Sequence, residues 1–382
     1  MDYRLTDEQS LIAETVREFA EAEIRPNVRE WDEAQAFPTE LLNKMGELGL
    51  MGVMIPEEYG GVGLGPLELS TVMEELGRVD PSVALAIAAH NGLCVGHLAV
   101  AANEEQKQRF FPKLANGEWV GCWGLTEPQA GSDAAGTQTR AEWSDEKNSW
   151  VLNGSKTFNT NGARAHVAVI LAVTTPGLGT KGISAFVVEA DTPGYRVGRK
   201  EDKLGMRASD TVELILEDCV VPAANLLGEQ DLGFVDALKV LDRGRISIGA
   251  LSVGIAQGAL EAALEYAQER HQFGRPIASF EAIRAKLARM AAGTRAARAM
   301  VYRAAKLRAT GESFKLAASL GKLYASEVGM SVAEEAVQIL GGYGYVKDYP
   351  VEKYFRDAKL CTIGEGTSEV QRLVISRQFL AS

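Results

Sequence analysis

The middle of this 382-residue chain restricts the fold most. Between residues 121 and 230, short β-branched segments at 151–153, 165–173 and 182–189 follow one another with no helical period between them. Turn formers separate them: Asn153-Gly154, Asn161-Gly162, Pro176-Gly177 and Pro193-Gly194. Parallel strands need long crossovers, usually helices, so strands joined by turns imply a small antiparallel barrel or sandwich.

Helical patterning fills both flanks. Upstream, Thr6-Asp7-Glu8-Gln9 has capping-box form, and Leu11, Ile12, Val16, Phe19, Ala20 and Ile24 repeat near the helical period behind it. Further helical patterns cover 40–48, 67–76 and 104–114, with a glycine-rich break at 59–66. Downstream, 232–270, 280–310 and 314–340 are long and rich in Ala, Leu, Arg and Glu, and Gly341-Gly342 stops the third. A fourth helix is expected after Glu365-Gly366, capped by Thr367 or Ser368. The expected architecture is α+β and multidomain. An N-terminal α-helical domain (1–120) precedes a central antiparallel β-barrel domain (121–230) and a C-terminal four-helix bundle (231–382).

Composition narrows the partners. A net charge of −11 repels nucleic acid and anionic membrane, so neither is expected as a partner. The N-terminus has no signal-peptide core and no run of about 18 apolar residues is read, which gives an expectation of a cytoplasmic protein. Cys94, Cys122, Cys219 and Cys361 are too scattered for a redox pair, and His90, His97, His166 and His271 lack acidic or thiol companions, so no metal is expected. Gly61-Val62-Gly63 is followed by Pro66 and has no strand before it, which excludes a dinucleotide fingerprint there.

Three segments combine groups that could carry chemistry. Leu125-Thr126-Glu127-Pro128-Gln129-Ala130-Gly131-Ser132-Asp133 offers hydroxyls and turn backbone to a polar ring or a phosphate, or forms a plain turn. Lys156-Thr157-Phe158-Asn159-Thr160-Asn161-Gly162 sets an aromatic face beside donors, as a flat cofactor requires, or is a hairpin arm with a core Phe. In Gly364-Glu365-Gly366, a carboxylate without bulky neighbours can enter a pocket. Exclusion of water there would raise its pKa toward that of a general base. The alternative is a solvated Glu at a helix N-terminus.

In this order, and with Pro56-Glu57-Glu58-Tyr59-Gly60-Gly61, Lys203-Leu204-Gly205-Met206-Arg207-Ala208-Ser209, Arg270-His271-Gln272-Phe273-Gly274-Arg275-Pro276-Ile277 and Gln338-Ile339-Leu340-Gly341-Gly342-Tyr343-Gly344, these segments resemble the acyl-CoA dehydrogenase family over essentially the whole chain. The stretch from Glu365 to Arg372 is most similar to the short-chain, butyryl-type branch.

The resemblance implies an FAD enzyme that dehydrogenates a short-to-medium or branched acyl-CoA to the trans-2-enoyl-CoA. It implies electron-transfer flavoprotein as acceptor and a homotetramer. By similarity, Trp123, Leu125, Thr126, Phe158 and Thr160 line the flavin, with Phe158 where many members have Trp. Ser132 lies near the FAD phosphates or the acyl-CoA, and Arg270, Phe273, Gln338 and Gly342 reach a neighbouring subunit's FAD. Thr367 holds the adenosine half, and Asp242, Arg245 and Gly364 lie near the substrate. Glu365 is the base, because the family's other base position is held here by Gly244. His90-Asn91 falls where the pocket floor is expected. Glu281 and Glu369 replace a common Gln and receive no ligand role. The competing readings are an acyl-CoA oxidase, a non-catalytic FAD or acyl-CoA binder, and a DNA-associated relative.

Overall fold

The computed structural model describes residues 5–380. The helices before the sheet are α1 (Asp7–Phe19), α2 (Val28–Ala34), α3 (Thr39–Glu47), α4 (Pro66–Val79), α5 (Pro81–Ala88), α6 (Val95–Ala101) and α7 (Glu104–Ala115). The capping box forms as expected. Gln9 N donates to Thr6 Oγ1 at 3.2 Å and Thr6 N donates to Gln9 Oε1 at 3.1 Å. A π-helical segment, Ala89–Cys94, interrupts the run between α5 and α6. There His90 Nδ1 accepts from Gly121 N at 3.0 Å, which leaves the proton on Nε2, 3.0 Å from the Met51 carbonyl. Burial lowers this imidazole's pKa to about 4, so it is a neutral tie between the helices and the sheet, not an exposed pocket floor.

The strands are β1 (Gly121–Gly124), β2 (Arg140–Ser144), β3 (Ser149–Thr160), β4 (Val167–Val173), β5 (Ile183–Glu189), β6 (Tyr195–Lys200), β7 (Thr211–Pro222) and β8 (Leu226–Leu227). They order as β6-β7-β3-β2-β4-β5-β8, with β1 beside β4. The expectation of an antiparallel barrel is corrected in two respects. The order is open, with no ladder returning from β8 to β6 among the described residues, and β4 pairs parallel with β1 and with β2. Long excursions, 125–139 and 145–166, bring the chain back in the same direction, which tight turns alone could not do.

The open sheet folds over itself. Ala168, Ile170, Ala172, Phe186 and Val188 pack on Leu152, Val212, Leu214 and Leu216 of β3 and β7. The opposite faces of β4 and β5, through Val167, Val169, Leu171, Ala185 and Val187, pack on Phe110, Phe111 and Leu114 of α7. Burial on both faces explains why β4 and β5 read as unbroken apolar runs.

The chain then continues as α8 (Gly233–Glu269), a small hairpin of β9 (His271–Gln272) and β10 (Arg275–Pro276), α9 (Glu281–Ala309), α10 (Lys315–Leu340), α11 (Val351–Cys361) and α12 (Ser368–Leu380). The helix expected as the fourth of the bundle, α12, packs mainly on α10, and the shorter α11 takes the place beside α8 and α10. The N-terminal helices join this bundle. Leu69, Val72, Met73 and Leu76 of α4 share one core with Ile248, Leu251 and Ile255 of α8 and Val301 of α9. Gly254 permits the contact, since a Cβ there would lie 2.4 Å from the Glu74 carbonyl oxygen. Two helical stretches, Pro81–Ala101 and Gly233–Glu269, are long and apolar enough to cross a membrane by length and composition, contrary to the reading of the sequence. Their most apolar windows are 72% and 78% buried inside the protein, as core helices are.

Two junctions fix the sheet to the bundle. Gly233, at the start of α8, presses on β5, where a Cβ would lie 2.4 Å from Ala185 N. Gly205, in the loop after β6, presses on Arg356 of α11, and Met206 N donates to Asp357 Oδ1 at 2.5 Å. The motif at 203–209 is therefore a clamp between sheet and bundle.

Candidate active site

Glu365 stands in the turn between α11 and α12. The turn starts where Gly364 N donates to Leu360 O at 2.8 Å and ends where Thr367 Oγ1 caps α12, accepting from Val370 N at 3.2 Å. Glu365 takes φ +52° and Gly366 φ +91°. A glutamate in the left-handed region persists only where its surroundings hold it. Here Lys322 Nζ donates to Gly366 O at 2.7 Å, and Gln371 Nε2 donates to Glu365 O at 3.2 Å and Gly366 O at 3.1 Å.

The strained turn drives the carboxylate against α8. A Cβ at Gly244 would lie 1.8 Å from Glu365 Oε2, so only glycine leaves room for this carboxylate. Oε2 is buried and has no hydrogen-bond partner. Burial raises the Glu365 pKa to about 7, against the opposing charges of Lys322 and Arg245. Arg245 Nη1 donates to Asp242 Oδ1 at 2.6 Å and to Ser319 Oγ at 3.1 Å. Arg245 Nε, Ser368 Oγ and Gln371 Oε1 are further buried atoms without partners around this turn. Buried polar atoms left unpaired are costly, so several in one place mark where water or a ligand supplies the missing bonds. A carboxyl poised near neutrality beside such atoms can take a proton from a bound carbon acid.

The second cluster is a pair of neighbouring β arms. Trp123 and Leu125 are buried, with the Trp123 indole N–H donating to His97 Nδ1 at 2.9 Å. The next residues are locked to the arm of β3. Thr157 N donates to Thr126 O at 2.9 Å, and buried Lys156 pairs with Glu127 at 2.6 Å. Glu127 also accepts from Gln138 N at 2.7 Å and Thr139 N at 3.0 Å. Between Lys156 and Asn159 the pairing with β7 slips, and Phe158, in that bulge, takes φ +58° and is 64% exposed. A bulge re-aims one side chain, and here it turns an aromatic ring out of the sheet. Among the described residues, the half-buried Thr126 and Thr160 hydroxyls make no hydrogen bond. Ser132 is exposed, beyond the turn in which Glu127 and Ala130 exchange backbone hydrogen bonds of 3.0 Å.

The third group lies on the surface. Arg270 stacks on Tyr343 at 5.5 Å, next to Gly342, while Phe273 is 93% exposed at the tip of the β9–β10 hairpin, φ +53°. Gln338 is exposed near the end of α10. Glu281 and Glu369 occupy the first turns of α9 and α12, where a helix dipole favours an acid.

Nothing in the sequence pattern singles out Ser319, Lys322 or the paired residues Lys156 and Glu127. The last two lie within quoted segments, but nothing in them signals which side chains turn inward. Lys322 sits in an Ala- and Leu-rich helix, where a lysine reads as a solvated position.

Models of the acyl-CoA dehydrogenase N-terminal, middle and C-terminal domains match residues 6–118, 122–219 and 231–380. The chain belongs to the acyl-CoA dehydrogenase family. A short-chain-specific acyl-CoA dehydrogenase of Clostridium acetobutylicum is 47% identical over 98% of this chain and 99% of its own. The butyryl-CoA dehydrogenase structure from Megasphaera elsdenii superposes with a TM-score of 0.97 at 42% identity, covering 100% of both chains. A chain from a structure described as the electron transferring flavoprotein of Acidaminococcus fermentans gives 0.98 at 46%, again over 100% of both. An acyl-CoA dehydrogenase is an FAD enzyme, and the β arms fit that group: an outturned ring, two hydroxyls unpaired among the described residues, and a buried ion pair that holds the two arms together.

Proposed function

We propose that this acyl-CoA dehydrogenase removes the α-proton of a short-to-medium or branched acyl-CoA with Glu365, yielding the trans-2-enoyl-CoA. The observation that carries the reading is the Glu365 carboxyl, raised to about 7 and pressed against Gly244 with Oε2 unpaired. Bound FAD would supply the hydride-accepting chemistry for the β-hydrogen. Phe158, Thr126 and Thr160 would hold its ring system, with Trp123 and Leu125 backing the arm and Ser132 near its phosphates or the substrate. Glu365 holds the α-proton at its carboxylate. Its backbone N–H would polarise a thioester carbonyl, which stabilises developing enolate charge. Asp242 and Arg245 position the substrate beside Gly364.

Gly364 leaves space beside the base, and the similarity to short-chain and butyryl-CoA enzymes supports a small acyl group. The neighbour described as an electron transferring flavoprotein supports such a protein as acceptor. Arg270, Phe273, Gln338, Gly342 and Thr367 complete the FAD site across a homotetramer interface. The exposure of Phe273 and Tyr345, 93% and 88%, supports such a contact. The enzyme is cytoplasmic and divides at residues 120 and 230.

The test is anaerobic bleaching of the flavin by acyl-CoAs from butyryl to palmitoyl, with isobutyryl and isovaleryl. Butyryl-CoA or a short branched analogue should bleach fastest, and Glu365→Gln should slow bleaching by about 10³-fold. A peak at twelve carbons or more rejects the substrate class.

A further inference from the structure

We propose that Lys322 is the positioning residue of the Glu365 turn, its buried ammonium fixing the carbonyl that follows the base and supplying the positive charge that keeps the base ionised. The proposal rests on the reading of Glu365 as the base. Lys322 lies in α10 and is 0% exposed. A lysine in a helix normally snorkels its charge to water, and this one does not. Its hydrogen bond goes to the Gly366 carbonyl at 2.7 Å, and among the described residues no carboxylate pairs with it. The burial of an ammonium against a main-chain carbonyl is unfavourable unless another charge shares the cavity. The unpaired Oε2 of Glu365 belongs to the residue preceding that carbonyl.

The titratable groups around this turn come from α8, α10, α11 and α12. From α8, Arg245 is already matched by Asp242 at 2.6 Å, and Lys315 of α10 approaches Asp242 at 3.6 Å. From α11 comes the Cys361 thiol, and from α12 Glu369, exposed and paired with Arg372. Of these cations, Lys322 is the one without a carboxylate partner among the described residues. Burial brings its pKa down to about 8, with Cys361 and Glu365 opposing, which leaves it charged at neutral pH. The same side chain grips the backbone of a turn held at positive φ on two successive residues, 365 and 366.

The experiment measures single-turnover flavin reduction by butyryl-CoA in the FAD-loaded enzyme between pH 5.5 and 9, with FAD content and melting temperature recorded for each variant. Lys322→Gln keeps a donor for the Gly366 carbonyl without the charge, and Lys322→Met removes both. With the charge gone, ionisation of Glu365 becomes harder, so the acid limb should move up by about one pH unit in both variants. Lys322→Met should also lose about tenfold of its plateau rate, because the turn loses its donor. Lys322→Arg serves if either variant fails to take up FAD, and it should keep the limb within about 0.3 unit of wild type. An unshifted limb in the neutral variants, or an equal shift in Lys322→Arg, overturns the proposal while Glu365→Gln remains inactive. Flavin reduction that survives Glu365→Gln overturns the base assignment, and the proposal with it.

Discussion

Two lysines are buried in the C-terminal helices, and they are treated in opposite ways. Lys353 of α11 is met by Asp80 at 2.7 Å and Asp357 at 2.6 Å. Burial works to lower its pKa, but the two carboxylates prevail and raise it. Around them Asp80 caps Ser82 N at 2.9 Å, and Asp357 holds the Met206 N–H. Among the described residues Lys322 of α10 meets no carboxylate, and burial leaves its pKa lowered to about 8. The first cluster ties α4, α5, α11 and the 203–209 loop together, and its charges are spent on one another. In the second, ammonium and carboxylate feel each other's charge without forming a salt bridge, and Glu365 Oε2 remains available to a third party. Cores hide charge by matching it, whereas a site that must move a proton leaves it unmatched.

Breaking the matched cluster should have the largest effect on stability. Lys353→Met leaves two buried carboxylates without their cation, and urea denaturation should show a loss of about 3–5 kcal/mol. The unmatched cluster should respond with the opposite sign. Glu365 has its pKa raised from 4.5 to about 7 by burial, so the folded state binds the proton more tightly than the unfolded. Its ionisation therefore erodes stability as pH rises through that window, by about 3 kcal/mol once complete. Glu365→Gln should gain about 3 kcal/mol over wild type at pH 8 and about 1 kcal/mol or less at pH 5. Equal gains at the two pH values would mean that the carboxyl is not buried ionised at all. Gly244→Ala sharpens the contrast from the other side. Its Cβ needs the space of Glu365 Oε2, so single-turnover flavin reduction should fall by about 10²-fold. The melting temperature should change little, since the displaced carboxylate is freed from burial.

The fold was legible where a periodic pattern persists. The reading of 232–270 differs from Gly233–Glu269 by one residue at each end, because 37 residues of helical period leave little ambiguity. The sheet was less so. Only a fragment of β3 was recognised, and β6 was missed because its residues are exposed or half-buried and include Arg196, Arg199 and Lys200. The barrel was expected from turn signals, which speak for local reversals and are silent on which edges meet. Of the site, Glu365, Phe158 and Phe273 stood out, and the structure gives them something in common. Outside glycine, asparagine and aspartate, positive φ occurs among the described residues at Gln35, Phe158, Met206, Phe273 and Glu365. Lys322 and the Lys156–Glu127 pair were illegible because their role depends on which neighbour lies across a helix or strand interface.

That shared strain gives the smallest prediction, and it separates ring from backbone at Phe158. Asn161, three residues on, also has positive φ, 66°, but asparagine tolerates that region and its Nδ2 donates to Ala86 O at 2.8 Å. Phe158 has no such aid, and a bulky residue there costs about 1–2 kcal/mol. Phe158→Gly removes that strain, while the freer unfolded chain takes back roughly 0.5–1 kcal/mol. The net change should be a gain of at most about 1 kcal/mol, although a large side chain has been deleted. Phe158→Ala keeps the strained backbone, so it should be the less stable of the two by about 1 kcal/mol. Both lack the ring, and both should release FAD about tenfold more readily on dilution if the ring packs against the flavin. If the two variants differ in FAD retention but not in stability, the bulge serves the cofactor through its backbone, and the outward turn of the ring is incidental.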